Sequence, residues 1–327
     1  MILVGLDIGG TKCAVTLGND SGEILWKKAF ETTTAAQTRA ALYDTAAEAI
    51  ERAQTDYRAS PAAIGVSCGG PLDSRRGIIQ SPPNLPGWDN IPITAELTAR
   101  FAIPAFLQND ANACAMAEWK YGAGRGCENM VFCTFGTGMG AGLILNGRLY
   151  AGASDNAGEI GHIRMTESGP VGYGKAGSFE GYCSGGGIAQ LGKIYAMEAF
   201  QSGRTVSYCA NPAELDGITA KSIAIAARAG HADAIAVYDR CAEKLGAGLA
   251  ILSDILNPER IVLGSIFMRD RALLAAKMDE ILRRECLPGV YDALSVVPAE
   301  LSENIGDIAA ITVAAEGLRD SGTTMTE

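Results

Sequence analysis

The same short pattern occurs twice in this chain, and the repeat restricts the possible folds more than any other feature of the sequence. Residues 1–20, MILVGLDIGGTKCAVTLGND, read as an apolar strand, a turn rich in glycine and threonine, and a second apolar strand. Residues 130–152 follow the same pattern, and a shift of 127 positions places Asp7 on Thr134 and Thr11 on Gly138. Two such units predict two related α/β domains that face each other.

The composition is that of an ordinary globular protein, with 48% hydrophobic and 20% charged residues. A formal net charge of -10, without any basic run, argues against nucleic acid as a partner. No apolar stretch approaches the roughly 20 residues of a membrane helix, and no basic region of a signal peptide opens the chain. The 9 cysteines contain no CxxC pair, which predicts reduced core thiols in a cytoplasmic protein.

The two glycine turns together predict phosphate binding. Neither is a Walker loop, because Lys12 follows Thr11, and GTGMGAG (136–142) lacks the GxGxxG spacing. Backbone amides in such turns can hold phosphate oxygens, with the hydroxyls of Thr11, Thr134 and Thr137 as further donors. For either turn alone, a purely structural role is the simpler interpretation.

Two aspartates stand where strands end. Asp7 closes the first strand, and beside a triphosphate its carboxylate would bind Mg²⁺, directly or through water. The alternative is an Asx-type turn. Asp110 lies in QNDAN (108–112), where a strand gives way to a helix expected to begin near Ala113. It is therefore either a reactive group at a strand end or part of the N-cap of that helix, for which Asp110 and Asn112 are the two candidates.

A cluster of polar side chains surrounds one of the two histidines, His162. Glu159 and His162 belong to GEIGH (158–162), and Glu180 follows in GSFEGY. Their spacing matches no metal site, and no GxSxG elbow is present, although a triad with Ser and Asp stays open. The favoured interpretation is a set of polar side chains that binds the hydroxyl groups of a small ligand.

In their order along the chain, these motifs resemble the ROK family of sugar kinases and repressors, within the actin/hexokinase/Hsp70-like ATPase superfamily. The motifs are DIGGTK (7–12), GVSCGGPLD (65–73), NLPGW (84–88), NDAN (109–112), GTGMGAG (136–142), GEIGH (158–162) and NPERIVLGS (257–265). The resemblance implies an α/β fold of two RNase H-like domains around a central cleft. The expected domains are residues 1–115 and 116–303, with a C-terminal helix at 304–319 that packs back on the first.

The resemblance also implies roles for individual residues. Asp110 matches the catalytic base, which takes the proton from the sugar hydroxyl. The implied sugar-binding residues are Gly70, Asn84, Asn109, Asp110, Glu159, His162 and Glu180. The implied nucleotide-binding residues are Asp7, Gly9, Gly10, Thr11, Lys12, Thr137, Gly138 and Gly264, with Asp7 as the Mg²⁺ residue. The last motif is usually richer in glycine than the Gly264-Ser265-Ile266 found here.

The chain departs from the family at its structural zinc site, which commonly uses the GH histidine and three cysteines. Gly172, Gly174 and Ser178 stand where those cysteines would be. Without thiolates no zinc cage is expected, so we predict a variant without zinc. His162 would then be oriented by hydrogen bonds alone.

The implied activity is that of an ATP-dependent hexose kinase that transfers the γ-phosphate to a sugar hydroxyl, with O6 of glucose as the default acceptor. ATP and Mg²⁺ are the implied cofactors. The alternatives are an N-acetylmannosamine or N-acetylglucosamine kinase, and a non-catalytic sugar-binding regulator. Because the phosphate loop begins at residue 7, a kinase is expected rather than a repressor with an N-terminal DNA-binding domain. The expected partners are a sugar and ATP, without nucleic acid or membrane, in a homodimer.

Overall fold

Within residues 1–322, which the computed structural model describes, the chain forms fourteen strands and ten α-helices. The strands are β1 (Ile2–Ile8), β2 (Lys12–Asn19), β3 (Ile24–Glu31), β4 (Ile64–Cys68), β5 (Leu72–Asp73), β6 (Ile78–Ile79), β7 (Ala105–Asn109), β8 (Met130–Phe135), β9 (Met139–Leu145), β10 (Arg148–Leu149), β11 (Val171–Gly172), β12 (Lys175–Ala176), β13 (Arg260–Leu263) and β14 (Ser295–Pro298).

The α-helices vary from single turns to long core elements. They are α1 (Ala35–Asp56), α2 (Ile93–Phe101), α3 (Asp110–Tyr121), α4 (Phe179–Tyr182), α5 (Gly185–Gln201), α6 (Ala220–Arg228), α7 (Ala232–Leu256), α8 (Ile266–Glu285), α9 (Pro288–Ala293) and α10 (Ile305–Asp320). Short 3₁₀ helices occur at Ile160–His162, Pro212–Gly217 and Ser302–Asn304.

Two five-stranded sheets have the same strand order. The first runs β3-β2-β1-β4-β7 and the second β10-β9-β8-β13-β14. In the first, β1 is antiparallel to β2 and parallel to β4. Lys12 and Met139, which open the second strand of each sheet, are 127 positions apart. The repeat predicted from the sequence is therefore confirmed, and so is the α/β class.

The chain divides into two compact units. One contains Met1–Glu128, Gly142–Ala157 and the described residues from Glu300 onward. The other contains Asn129–Ala141 and Gly158–Ala299. The domain limits inferred from the resemblance, 1–115 and 116–303, differ from these units and stay a prediction.

The first sheet is covered on both faces. Leu42 and Ala46 of α1 pack with Val4 and Leu6 in the larger core cluster. On the other face, Leu3 packs with residues of α10, among them Ile311 and Ala314. This arrangement follows from the alternation of side chains along β1.

A glycine on β4 allows α10 to lie close to that sheet. A Cβ atom at Gly65 would be 2.0 Å from the carbonyl oxygen of Ala310 and 2.4 Å from the amide nitrogen of Ala314. Because real Cβ atoms do not approach backbone so closely, any larger residue here would push the helix away from the sheet. The first turn of α10 is thereby held near the end of β1, where Asp7 lies.

Two helices begin earlier than the sequence suggested. The helix expected near Ala113 begins at Asp110, because the side chain of Asn109 caps it by accepting hydrogen bonds from the amides of Ala111 and Asn112. The helix expected from Arg271 begins at Ile266 and includes a kink at Asp270. Within residues 1–322, no helix is both long enough and apolar enough to span a membrane.

Candidate active site

Asp7 carries an electrostatic penalty in the folded chain. Burial, followed by repulsion from Asp307 and Asp110, raises the pKa of Asp7 from 3.8 to about 6. Lys27 and a hydrogen bond with Ser67 oppose this rise without cancelling it. Mg²⁺ takes oxygen ligands and commonly uses only one or two carboxylates together with its own waters. The Asp7 carboxylate therefore fits the predicted Mg²⁺.

The third carboxylate of this group, Asp307, is held in place by its neighbours. It is buried on α10, accepts a hydrogen bond of 3.1 Å from the hydroxyl of Thr16, and forms an ion pair with Lys27. The preceding residue, Gly306, lies against Asp7, since a Cβ there would be 2.6 Å from Asp7 Oδ2. Lys27 thus pairs with Asp307 rather than with Asp7.

The first glycine turn leaves backbone donors open. Gly9 is used within the turn, where its amide donates to the carbonyl of Lys12 at 3.2 Å and its carbonyl accepts from the Thr32 hydroxyl at 2.6 Å. Across the described residues, the backbone amides of Gly10 and Thr11 donate no hydrogen bond. Open, exposed amides at a turn are suited to phosphate oxygens, so this turn fits its predicted role.

Asn84 of the NLPGW segment packs directly on this turn. A Cβ atom at Gly10 would lie 2.6 Å from the Asn84 carbonyl oxygen and 2.8 Å from its Cβ. Only glycine fits at this close approach. The structure therefore brings a predicted sugar-binding residue and the predicted phosphate turn together in the first unit.

Asp110 and Asn109 are positioned by the start of α3. Asn109 is the N-cap, and its Oδ1 accepts from the amides of Ala111 at 3.0 Å and Asn112 at 3.4 Å. Asp110 is the first helical residue, and its Oδ1 accepts from the Ala111 amide at 2.8 Å. The sequence left open whether Asp110 caps the helix. The structure gives the capping role to Asn109, so Asp110 Oδ2 is not used by the cap.

The Gly69-Gly70 segment lies over these two side chains. The Nδ2 atom of Asn109 would be 3.4 Å from a Cβ at Gly70, and Asp110 Oδ2 would be 3.8 Å from one at Gly69. Although Asp110 is accessible to solvent, the surrounding protein raises its pKa by desolvation, against the lowering effect of the Ala111 amide. An amide donor and a carboxylate oxygen thus share one small polar space.

The second glycine turn, between β8 and β9, has a similar construction. The Gly136 amide donates to the Gly138 carbonyl at 3.1 Å. Thr134, suggested as a phosphate donor, instead accepts from the Gly140 amide at 2.9 Å, so its hydroxyl serves the hairpin. Thr137 at the tip is exposed, and within residues 1–322 its amide and hydroxyl make no hydrogen bond.

Glu180 joins this second turn to the GEIGH segment within the other unit. Its Oε2 accepts from the Met139 amide at 3.0 Å and would lie 2.8 Å from a Cβ at Gly138. Its Cβ is 3.2 Å from the position of a Cβ at Gly161. Three motifs that are separate in the sequence therefore meet around one carboxylate.

Glu159 and His162 lie at the two ends of a 3₁₀ turn. The His162 amide donates to the Glu159 carbonyl at 3.2 Å, and both residues are exposed. The Lys175 ammonium donates to the His162 carbonyl at 2.6 Å, and the Tyr173 ring meets the imidazole edge-on at 6.5 Å between centroids. The β11–β12 hairpin thus supports His162 directly.

The hairpin region has other uses for the residues that replace cysteines. The Ser178 hydroxyl accepts from the Gly181 amide at 3.1 Å and caps α4, while Gly172 packs against Glu180. No group of three or more histidine, cysteine, aspartate or glutamate residues suited to a metal occurs among the described residues. The variant without zinc stays a prediction.

Gly264 and Ser265 join β13 to α8. The Gly264 amide donates to the Cys133 carbonyl at 3.0 Å. Ser265 has a φ of 48°, a conformation that side chains rarely adopt, and its hydroxyl would lie 3.4 Å from a Cβ at Gly136. A backbone of this kind explains why glycine is usual in this motif. The strained residue stands beside the second glycine turn, and strain of this kind clusters at functional sites.

A family model for the ROK family matches residues 3–316. A glucokinase from Streptomyces coelicolor is 32% identical over 317 residues, which cover 96% of this chain and 98% of that protein. A xylose repressor from Caldicellulosiruptor bescii is 25% identical over 92% of this chain and 75% of its own length.

Solved structures of the family have the same fold. A ROK hexokinase from Thermus thermophilus has a TM-score of 0.80 at 32% identity, covering 98% of this chain and 100% of that one. A ROK glucokinase from Streptomyces griseus, solved with glucose and AMPPNP, has a TM-score of 0.75 at 29% identity, covering 97% and 100%. With the repeated sheets and the ordered motifs, these matches establish that the chain belongs to the ROK family.

Proposed function

We propose that this protein transfers the γ-phosphate of ATP to O6 of glucose. The chain is a sugar kinase, since curated glucokinases and a ROK hexokinase structure match it along nearly its whole length. The choice of glucose rests on the glucokinase names of those relatives and on the glucose and AMPPNP bound in one of the matching structures.

The observation that carries this proposal is the geometry at the start of α3. Asn109 Oδ1 accepts the hydrogen bonds of the helix cap, so Asn109 Nδ2 remains a donor near Gly70. Asp110 Oδ1 accepts from the Ala111 amide, so Asp110 Oδ2 remains an acceptor. A sugar hydroxyl needs both functions, because it accepts one hydrogen bond and donates another.

Asp110 would act as the general base. Its carboxylate accepts the proton of the sugar hydroxyl as the oxygen attacks the γ-phosphorus, and the bond from that phosphorus to the bridging oxygen of ADP breaks. Desolvation by the surrounding protein raises the pKa of Asp110, which makes this carboxylate a stronger base than one in bulk water. Because the Ala111 amide holds Asp110 Oδ1, little reorganisation of the side chain is needed.

The phosphates would be held by backbone groups. The open amides of Gly10 and Thr11 are donors for phosphate oxygens, and Thr137 offers the same chemistry at the second turn. Asp7 would hold Mg²⁺, directly or through water, and the ion would neutralise phosphate charge. Glu159, His162 and Glu180 are proposed to recognise the remaining sugar hydroxyls.

The chain also resembles a protein named as a xylose repressor, so a sugar-binding regulator is the second candidate. A regulator would need the sugar contacts but neither a base nor open phosphate-binding amides. The retention of Asp7, Asp110 and both glycine turns favours the kinase.

A panel of glucose, mannose, allose, N-acetylglucosamine and N-acetylmannosamine, each with Mg-ATP and coupled ADP detection, tests the proposal. We expect the highest kcat/KM with glucose, and a phosphorus–proton coupling to H6 in the NMR spectrum of the product. Tight glucose binding without sugar-dependent ADP release would favour the regulator. Preferred turnover of an N-acetylated sugar would contradict glucose as the acceptor.

A further inference from the structure

A polar cavity of about 340 Å³ lies in the first unit, next to the Gly70 segment along the chain. One wall is the β5–β6 hairpin, with Leu72, Asp73, Arg75, Arg76 and Gln80, and the other is the loop Gly152–Asp155. Its volume is within the range of small-molecule sites, which begins at roughly 300 Å³. None of the predicted site residues lines it.

The two acids at this cavity are committed to the loops that form it. Asp155 accepts from the amide and from the hydroxyl of Ser74, both at 2.8 Å, and so ties the two walls together. Asp73 accepts from the Arg76 amide at 2.9 Å, and the Arg76 guanidinium is 4.0 Å from the same carboxylate. Each carboxylate thus satisfies donors of the backbone or of Ser74.

The donors that remain open are Arg75 and Gln80. Within residues 1–322, the Arg75 guanidinium has no acidic partner, and the Gln80 side-chain amide makes no hydrogen bond. The Gln80 backbone is fixed, because its amide donates to the Pro71 carbonyl at 2.9 Å. A guanidinium fork beside a neutral amide provides recognition for an oxyanion and for a hydroxyl group.

We propose that this cavity is a subsite for a sugar phosphate, with the phosphate on Arg75 and sugar hydroxyls on Gln80. The choice of ligand class rests on the proposed function, whose product belongs to that class. Bidentate pairing of a guanidinium with phosphate supplies both charge and direction. Pro71 and Leu72 connect the cavity wall directly to Gly70, which lies against Asn109.

Isothermal titration of glucose 6-phosphate into protein saturated with glucose, without ATP, tests this subsite. Saturating glucose suppresses product binding at Asp110. We expect one binding event that Arg75→Ala weakens about ten-fold or more, because a charge-assisted hydrogen bond is lost. The exposed Arg148, on β10 of the same unit, is the matched control, and Arg148→Ala should leave the affinity unchanged.

Two further titrations identify the ligand. Inorganic phosphate should bind more weakly than glucose 6-phosphate, and Gln80→Ala should reduce that difference because it removes the hydroxyl contact. Equal affinity of wild type and Arg75→Ala, or equal loss in Arg148→Ala, would overturn the subsite. Because the titrations need no phosphoryl transfer, Arg75-dependent binding by a protein that phosphorylates no sugar would reject the proposed function while the subsite stands.

Discussion

Replacing Asp7 by asparagine should stabilise the protein in the absence of nucleotide and Mg²⁺, although the residue is predicted to be essential for phosphoryl transfer. The reason is that the carboxylate is partly buried and repelled by Asp307 and Asp110. A neutral amide of nearly the same shape avoids both costs. Replacing an active-site residue that destabilises the folded state often makes a protein more stable while its activity falls.

The size of the effect follows from the pKa of Asp7, which rises from 3.8 to about 6 in the folded chain. Such a rise corresponds to about 3 kcal/mol of free energy. The folded state binds the proton more tightly than the unfolded state, so the free energy of unfolding falls as the pH increases from about 4 to about 6. The full cost is present above pH 6 and disappears below pH 4. In Asp7→Asn the hydrogen bond with Ser67 is weakened, because the amide is neutral. The expected increase in the free energy of unfolding is therefore about 1–3 kcal/mol.

Urea unfolding of wild type and Asp7→Asn at pH 7.5 and at pH 4 measures this difference. We expect a higher unfolding midpoint for the variant at pH 7.5 and a much smaller difference at pH 4. The control is Asp44→Asn, because the Asp44 side chain is 77% exposed and its ion pair with Arg100 lies at the surface. Destabilisation by Asp7→Asn at pH 7.5 would show that the Asp7 carboxylate does not destabilise the folded state.

Three other substitutions test the same structure. Ser265→Gly should raise the free energy of unfolding by about 1 kcal/mol, since glycine tolerates the φ of 48°, and thermal unfolding at fixed pH would show the change. Gly10→Ala should increase the KM for ATP and destabilise the fold by about 1–3 kcal/mol, because its Cβ meets the Asn84 carbonyl at 2.6 Å; an unchanged KM in steady-state kinetics would contradict the role of the turn. Glu118→Ala should cost at least about 3 kcal/mol in urea unfolding, because the buried carboxylate accepts from the amides of residues 123, 300 and 301, and a loss under 1 kcal/mol would contradict its buried role.

Much of the fold could be predicted from the sequence because the repeat is local and regular. The strand–turn–strand pattern fixed the first two strands of each sheet, and the 127-residue shift matches the observed start of β2 and β9. The beginning of α3 could not be located in this way. Asn109 and Asp110 are both good N-cap residues, and only the backbone geometry shows that Asn109 has this position.

The electrostatics of the site lay beyond the sequence for a different reason. Lys27 and Asp307 form an ion pair although they are 280 positions apart, and no local pattern links them. Thr134 is a residue type expected in a phosphate-binding turn, yet its hydroxyl accepts a hydrogen bond from the Gly140 amide inside the hairpin. The partner of each side chain depends on which backbone groups remain unpaired after the sheet has formed.

The supporting role of the β11–β12 hairpin was also hidden. The sequence showed only that cysteines were replaced, whereas the structure shows Lys175 bound to the His162 carbonyl and Tyr173 beside its ring. Direct contacts of this kind can orient the histidine without a metal. The absence of zinc itself stays a prediction, and metal analysis of the purified protein would decide it.

The central claim is that Asp110 accepts the proton of a sugar hydroxyl while Asn109 holds the helix start. Measuring kcat with saturating glucose and Mg-ATP, together with the glucose Kd, for wild type and Asp110→Asn tests it most directly. We expect kcat to fall by about 10²–10⁴-fold while the glucose Kd changes little, because the amide retains the shape of the side chain but accepts no proton. An unchanged kcat in Asp110→Asn would contradict it.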